Sequence, residues 1–289
     1  MVRVRQKSKP RNVSREELIA IPCPRPKGEW HPVPNNQLLT LTDRYLADAG
    51  LRVTGERFVT DRNDQRMFAV LTIGGFDILG GRAQMQIGLR SSYDKSLAIG
   101  LAIGSHVIAC SNMCFSGEIA RFRKHTTFVL RDLPVLFTTA LGKFKSFAEQ
   151  QESYYERFLT SPVTDQDARS FILTAGYDKN EWKRNEAGLV VRNDPEPGQG
   201  KRTFEDDTDS VINSRDRDRV LVNWIDRKTL PEYDGENAWT LMQCFTRVTN
   251  QYGNPFTQAE RTTRLTQALR AQFAPDLKEI VAVEVARGN

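Results

Sequence analysis

The sequence predicts an α+β protein: an antiparallel sheet of hairpins over about 51–126, crossed by a long helix at about 133–160, with a C-terminal helical part. Three observations carry this. Apolar residues alternate with a period of two through the first stretch. Near 132 the period becomes helical and persists for almost thirty residues. Four cysteines among 289 residues leave stability to a packed core rather than to a disulfide framework. The 39% of hydrophobic residues is enough for such a core and too much for a wholly disordered chain.

Residues 1–30 read as a basic, proline-rich arm. Pro10, Pro22, Pro24, Pro26, Pro32 and Pro34 each remove a backbone donor and turn the preceding residue from helix. Within this stretch Ser14 caps a short helical turn through Ile19. Asn35 or Asn36 caps a helix from Gln37 to about Ala49, with Leu38, Leu39, Leu41, Tyr45 and Leu46 on its apolar side and Gly50 at its end.

Val53–Thr60 and Arg66–Ile73 flank the turn-forming Asp61–Asp64 and read as a hairpin. Met85–Arg90, Leu97–Ile103, His106–Ala109 and Ile119–Thr126 read as further strands, with a tight turn at Ser92–Lys95. Asp132 is placed to cap the long helix and Pro134 to occupy its first turn. From Leu133 to Phe158 the apolar residues keep i, i+3, i+4 spacing, which gives a helix about 40 Å long. Thr164 caps a shorter helix to about Ala175. The core so far spans 31–176.

Residues 177–219 read as a charged, partly mobile excursion, because Phe204, Val211 and Ile212 are the sizeable apolar groups of its second half. Residues 220–289 then add a helical stretch at Arg219–Arg227, helices over Glu236–Tyr252 and from Thr257 to about Phe273, and a closing strand over Lys278–Val285.

The formal net charge of +5 sits in the arm: Arg3, Arg5, Lys7, Lys9, Arg11, Arg15, Arg25 and Lys27 face Glu16, Glu17 and Glu29, while the remainder balances. Such an arm suits phosphate, since each neutralised phosphate releases counterions, and it equally suits a solubilising tail or an acidic partner. On the strand Ile119–Thr126, alternation puts Arg121, Arg123 and His125 on one face and Ala120, Phe122 and Lys124 on the other. The first set forms a cationic stripe for phosphates or bases, with Tyr93 and Phe115 as aromatic partners and Arg90 nearby; a solvated face paired with acids is the plainer reading.

Other chemistries find less. No phosphate-cradling Gly-Lys-Ser/Thr follows Gly75–Arg82. His106, Cys110, Cys114 and His125 have zinc-ligand chemistry, but residues four apart on a strand lie about 13 Å apart, so buried thiols are the expectation and no metal or cofactor is. Glu205, Asp206, Asp207 and Asp209 read as a solvated acidic loop. No apolar run reaches the length of about twenty residues that spans a bilayer, the basic N-terminal stretch has no apolar segment behind it and so does not read as a secretory signal, and the cysteine usage fits a reducing cytoplasm.

Three stretches resemble a phage- and plasmid-type family catalogued as domain of unknown function 932: Ile87–Ala98 with its Ser91-Ser-Tyr-Asp-Lys-Ser96 turn, Gly104–Gly117 with Cys110-Ser-Asn112, and Arg123-Lys-His-Thr126. Ser91 stands where that family has Asn. Ala238–Tyr252 looks like the family's C-terminal helix. The resemblance implies work on DNA or against host defences, in a host cytoplasm. A sheet of hairpins under a long helix is also similar to single-strand annealing recombinases, an analogy of fold. The expectation is therefore a non-enzymatic, oligomeric factor that anneals or protects single-stranded DNA. The alternatives are a protein-interaction module that inhibits a host defence or replication protein, and, third, a metal-dependent enzyme.

Overall fold

The computed structural model describes residues 10–61, 63–107, 116–175, 182–184, 190–192, 212, 214–252 and 258–277. Its centre is a six-stranded antiparallel sheet in strict sequence order: β1 (Arg11–Val13), β2 (Arg52–Thr60), β3 (Arg66–Ile78), β4 (Ala83–Ser92), β5 (Ile99–Val107) and β6 (Ser116–Arg123). Every connection joins neighbours in the sheet; the first, over residues 14–51, is long and helical, and the later ones are shorter. The β2–β3 turn is built as its sequence implies: Asp61 Oδ1 accepts from the amides of Gln65 and Arg66 at 2.8 and 3.2 Å, and Asp64 turns the chain at φ +55°.

Register decides which side chains meet the core. Phe58 pairs with Ala69, Leu71 with Ile87, Ile87 with Ile103, and Leu89 with Leu101, and all are buried. Against this face lie α2 (Asn35–Asp48), α3 (Val129–Leu141) and α4 (Phe144–Thr160), which contribute Leu38, Leu39, Phe137, Phe144, Phe147 and Phe158. The other face carries a smaller cluster of Phe68, Val70 and Ala102, with Leu97 and Phe122 against it.

Four sequence expectations change. The proline-rich arm is not separate from the core, for Arg11–Val13 is the first strand and α1 (Arg15–Ala20) buries Leu18 completely. Arg15 bonds Asp43 and Glu56 at 2.8–3.0 Å, tying α1 to α2 and β2. The two strands expected at Leu97–Ile103 and His106–Ala109 are one, β5; the glycine between them, Gly104, marks a shift in register against β6 rather than an end. The long helix over 133–160 is two helices. Lys143 leaves helical geometry (φ −98°, ψ 0°) after Gly142, so α3 lies along β5 and β6 while α4 reaches β3. Periodicity carries straight through because the break consumes less than a turn. Finally, α3 starts at Val129, earlier than expected. Asp132 and Pro134 therefore lie inside it, and Asp132 pairs with Arg123 instead of capping.

The C-terminal part packs α5 (Asp165–Ala175), α6 (Ser214–Ile225), α7 (Ala238–Tyr252) and α8 (Gln258–Phe273) beside α4, with α8 along β6. Thr164 caps α5 reciprocally with Asp167, and Asn237 caps α7 by accepting from the Thr240 amide at 3.0 Å. Within the excursion, Trp182–Arg184 pairs with Val190–Arg192 as β7 and β8, and its last residues already belong to α6. The acidic loop 205–209 and the closing strand expected at Lys278–Val285 lie outside the described residues.

Candidate nucleic-acid interface

The ends of β4 and β6, the start of β5 and the proline-rich segment meet at one end of the sheet. Backbone bonds between Lys27 and Trp30 close a tight turn around Gly28 at φ +61°, a left-handed geometry that suits glycine. Trp30 forms a further bridge to Thr126, and the His31 amide donates to the His125 carbonyl at 3.1 Å. The Asn35 amide donates to Tyr93 Oη at 2.9 Å. A strap over residues 22–34 is thereby laid against the β4–β5 loop and the residues following β6.

This arrangement sorts the sequence-predicted residues. β6 ends at Arg123, so His125 does not continue its alternation and does not join the expected stripe. Arg123 pairs opposite Ile99 and gives its guanidinium to Asp132 on α3. The Arg131 and Arg123 guanidiniums hold the Asp132 carboxyl below the usual carboxylate range. His125 is 6% exposed, its Nε2 lies 3.4 Å from Ser91 Oγ, and burial pushes its imidazole below the ordinary value. Tyr93 is equally buried, and burial raises its phenol, so its ring offers no stacking surface. Arg90 lies 4.3 Å above the Phe122 ring. A Cβ on Gly100 would sit 2.7 Å from that ring, so glycine is what admits it.

Lys124 is exposed. For Arg121 and His106 the structure describes the backbone alone, and Arg3, Arg5, Lys7, Lys9, Cys110, Cys114 and Phe115 lie outside the described residues. Of the arm's other cations, Arg11 is held by Asp64 at 2.7 Å and Arg15 by Asp43 and Glu56. Among the described residues no group of His, Cys, Asp or Glu could hold a metal ion.

Sequence reasoning missed the residues that give this end its surface. Lys95 Nζ lies 5.2 Å above the Trp30 ring, and Arg131 lies 4.4 Å above Phe128, which is 55% exposed. The second pair was readable as an i, i+3 couple at a helix start. The first joins residues sixty-five apart and needed the fold. Arg25, Lys27, Lys95 and Lys124 are exposed at this end and make no ion pair among the described residues. Two of the nearby acids are engaged, Asp94 by Arg66 at 2.9 Å and Asp132 by Arg123 and Arg131, while Glu29 is exposed in the Lys27–Trp30 turn.

No protein-family model, curated protein or solved structure matches the chain. No helix among the described residues is long and apolar enough to cross a membrane.

Proposed function

We propose that this chain binds nucleic acid, with a preference for single strands, along the sheet end formed by the strap, the Tyr93–Leu97 loop and the Lys124–Arg131 segment. The observation that supports this most is the pairing of aromatic faces with cations: Lys95 over Trp30 and Arg131 over exposed Phe128, with Lys95 and Lys124 exposed and without an ion pair among the described residues. Cations follow a phosphate backbone, while aromatic faces take bases without regard to sequence. The phage-type motifs quoted above lend support, and with them a role in annealing or protecting strands, as an oligomer, in a host cytoplasm.

The test is fluorescence anisotropy with labelled single- and double-stranded DNA across a salt series. Lys95→Ala with Lys124→Ala is expected to weaken binding and to flatten the salt dependence by about 0.7 per lost phosphate contact on a single strand. Unchanged affinity and slope in the double variant would sink the reading. A second reading is a protein-interaction module that inhibits a host protein. It draws on exposed apolar side chains at and near the start of α3, where Phe128, Leu130 and Val135 stand 42–67% exposed. No DNA binding at low salt, together with a host partner retained after nuclease treatment and lost in Val135→Glu, would favour it.

A further inference from the structure

We propose that Trp30 is a displaceable stacking residue, taking one base of a bound single strand on the face that Lys95 covers in the free protein. This rests on the nucleic-acid reading above and adds a position to it. Two independent observations point the same way. First, the ring is half-buried and its covering group is a flexible lysine at 5.2 Å, whereas Arg270 sits 3.6 Å above Tyr154 in the helical part. Lys95 itself stands on a left-handed residue, φ +66°, in an exposed loop. A base that displaces it gains the stacking contact and leaves the ammonium free to meet the flanking phosphate.

Second, the closed strap leaves polar atoms without partners. Trp30 Nε1, His125 Nδ1 and Thr126 Oγ1 are all buried, and none has a hydrogen-bond partner among the described residues. They belong together: Trp30 and Thr126 are bridged through the backbone, and the Trp30 and His125 rings lie 6.4 Å apart. Buried polar groups are nearly always paired, so this conformation of the indole is incompletely satisfied. Turning the ring outward onto a base opens the indole N–H, the imidazole and the hydroxyl to water or to the base edge. The ligand therefore favours the turned state through a contact that the closed state lacks.

The experiment measures binding of the full chain to two labelled oligonucleotides of one length and charge, one bearing bases throughout and one fully abasic. Wild type is expected to favour the base-bearing strand. Trp30→Ala is expected to lose about tenfold on that strand and to keep its affinity for the abasic one, in line with the contribution of one stacked base. Trp30→Phe, which keeps a stacking face, is expected to retain most of the preference and shows that the strap still folds. If neither strand binds at any salt, the nucleic-acid reading falls and this proposal with it. If both strands bind and Trp30→Ala keeps the preference, or weakens both strands equally, Trp30 is structural and this proposal alone is overturned.

Discussion

The sheet with α2–α4 and the helical part α5–α8 solve the burial problem in different ways. Under the sheet polar side chains such as Asn35, Thr42, Gln86, Ser105 and Gln151 are buried among the apolar ones, but the ions stand at the rim in pairs such as Arg15 with Asp43 and Glu56. In the helical part Thr240, Gln243, Thr246, Thr249, Thr262 and Thr266 are all buried, with Arg227 and Glu232 beside them. Three of the threonines bond within their own helix: Thr246 to the Gln243 carbonyl at 3.2 Å, Thr249 to the Phe245 carbonyl at 2.9 Å and Thr266 to the Thr262 carbonyl at 2.9 Å. A hydroxyl satisfied one turn back can be buried without a partner from another element. Arg227 is different, since it bonds the Trp224 carbonyl, Asp165 and Glu236 and so joins α5 and α7 through the turn after α6. Both halves bury polar groups that are bonded; what differs is charge, which the sheet half keeps at its rim and the helical half takes inside as Asp216, Arg227 and Glu232.

The largest effect is expected where area alone acts. Phe137, fully buried and stacked on Tyr45 at 5.3 Å, should cost about 3–5 kcal/mol as Phe137→Ala, read from urea unfolding. Arg227→Ala should cost less, about 2 kcal/mol, because its acids are half-exposed and can turn to water once the charged bonds are lost. A cost near zero would show that the helical half does not depend on that junction. Thr249→Val should stay within about 1 kcal/mol, since a hydroxyl bonded locally leaves no stranded partner on another element. A large loss there would mean the buried threonines link helices to one another.

The smallest effect concerns pH and belongs to the sheet side. His125 is held neutral by burial, so its folded pKa lies below its ordinary value of about 6.5. The unfolded chain takes up the proton first as pH falls through that range. Stability is therefore expected to decline from about pH 6.5 downward toward the folded pKa and to return as pH rises. His125→Gln should flatten that slope in denaturant titrations at several pH values. A slope unchanged by the substitution would place the acid-sensitive group elsewhere.

Local pattern made much of the sheet readable. Alternation and the turn residues Asp61–Asp64 located the turn side of the β2–β3 hairpin to the residue, although β3 runs on to Ile78 instead of ending at Ile73, and Ser14, Thr164 and the apolar stripes of α2, α4 and α7 announced their helices. These signals are local because caps, turns and periodicity act over a few residues. Strand 11–13 was hidden, since three residues carry no period of their own and gain their identity from pairing with Phe58–Thr60. The helix break at Gly142–Lys143 was hidden for the opposite reason, a period that survives the interruption.

The candidate site was legible in composition and illegible in arrangement. Arg90, Tyr93, Arg123, Lys124 and His125 do gather at one end of the sheet, yet Arg123 is paired with Asp132, and Tyr93 and His125 are buried beneath the strap. Residue type and spacing determined which segments are strands, which are helices and where positive charge concentrates. Whether a given charge faces solvent or an acid on another element was decided by the tertiary structure, as with Arg15, Arg123 and Lys95. Periodicity is a property of neighbours along the chain, whereas a partner such as Trp30 for Lys95 comes within reach only once the elements have packed.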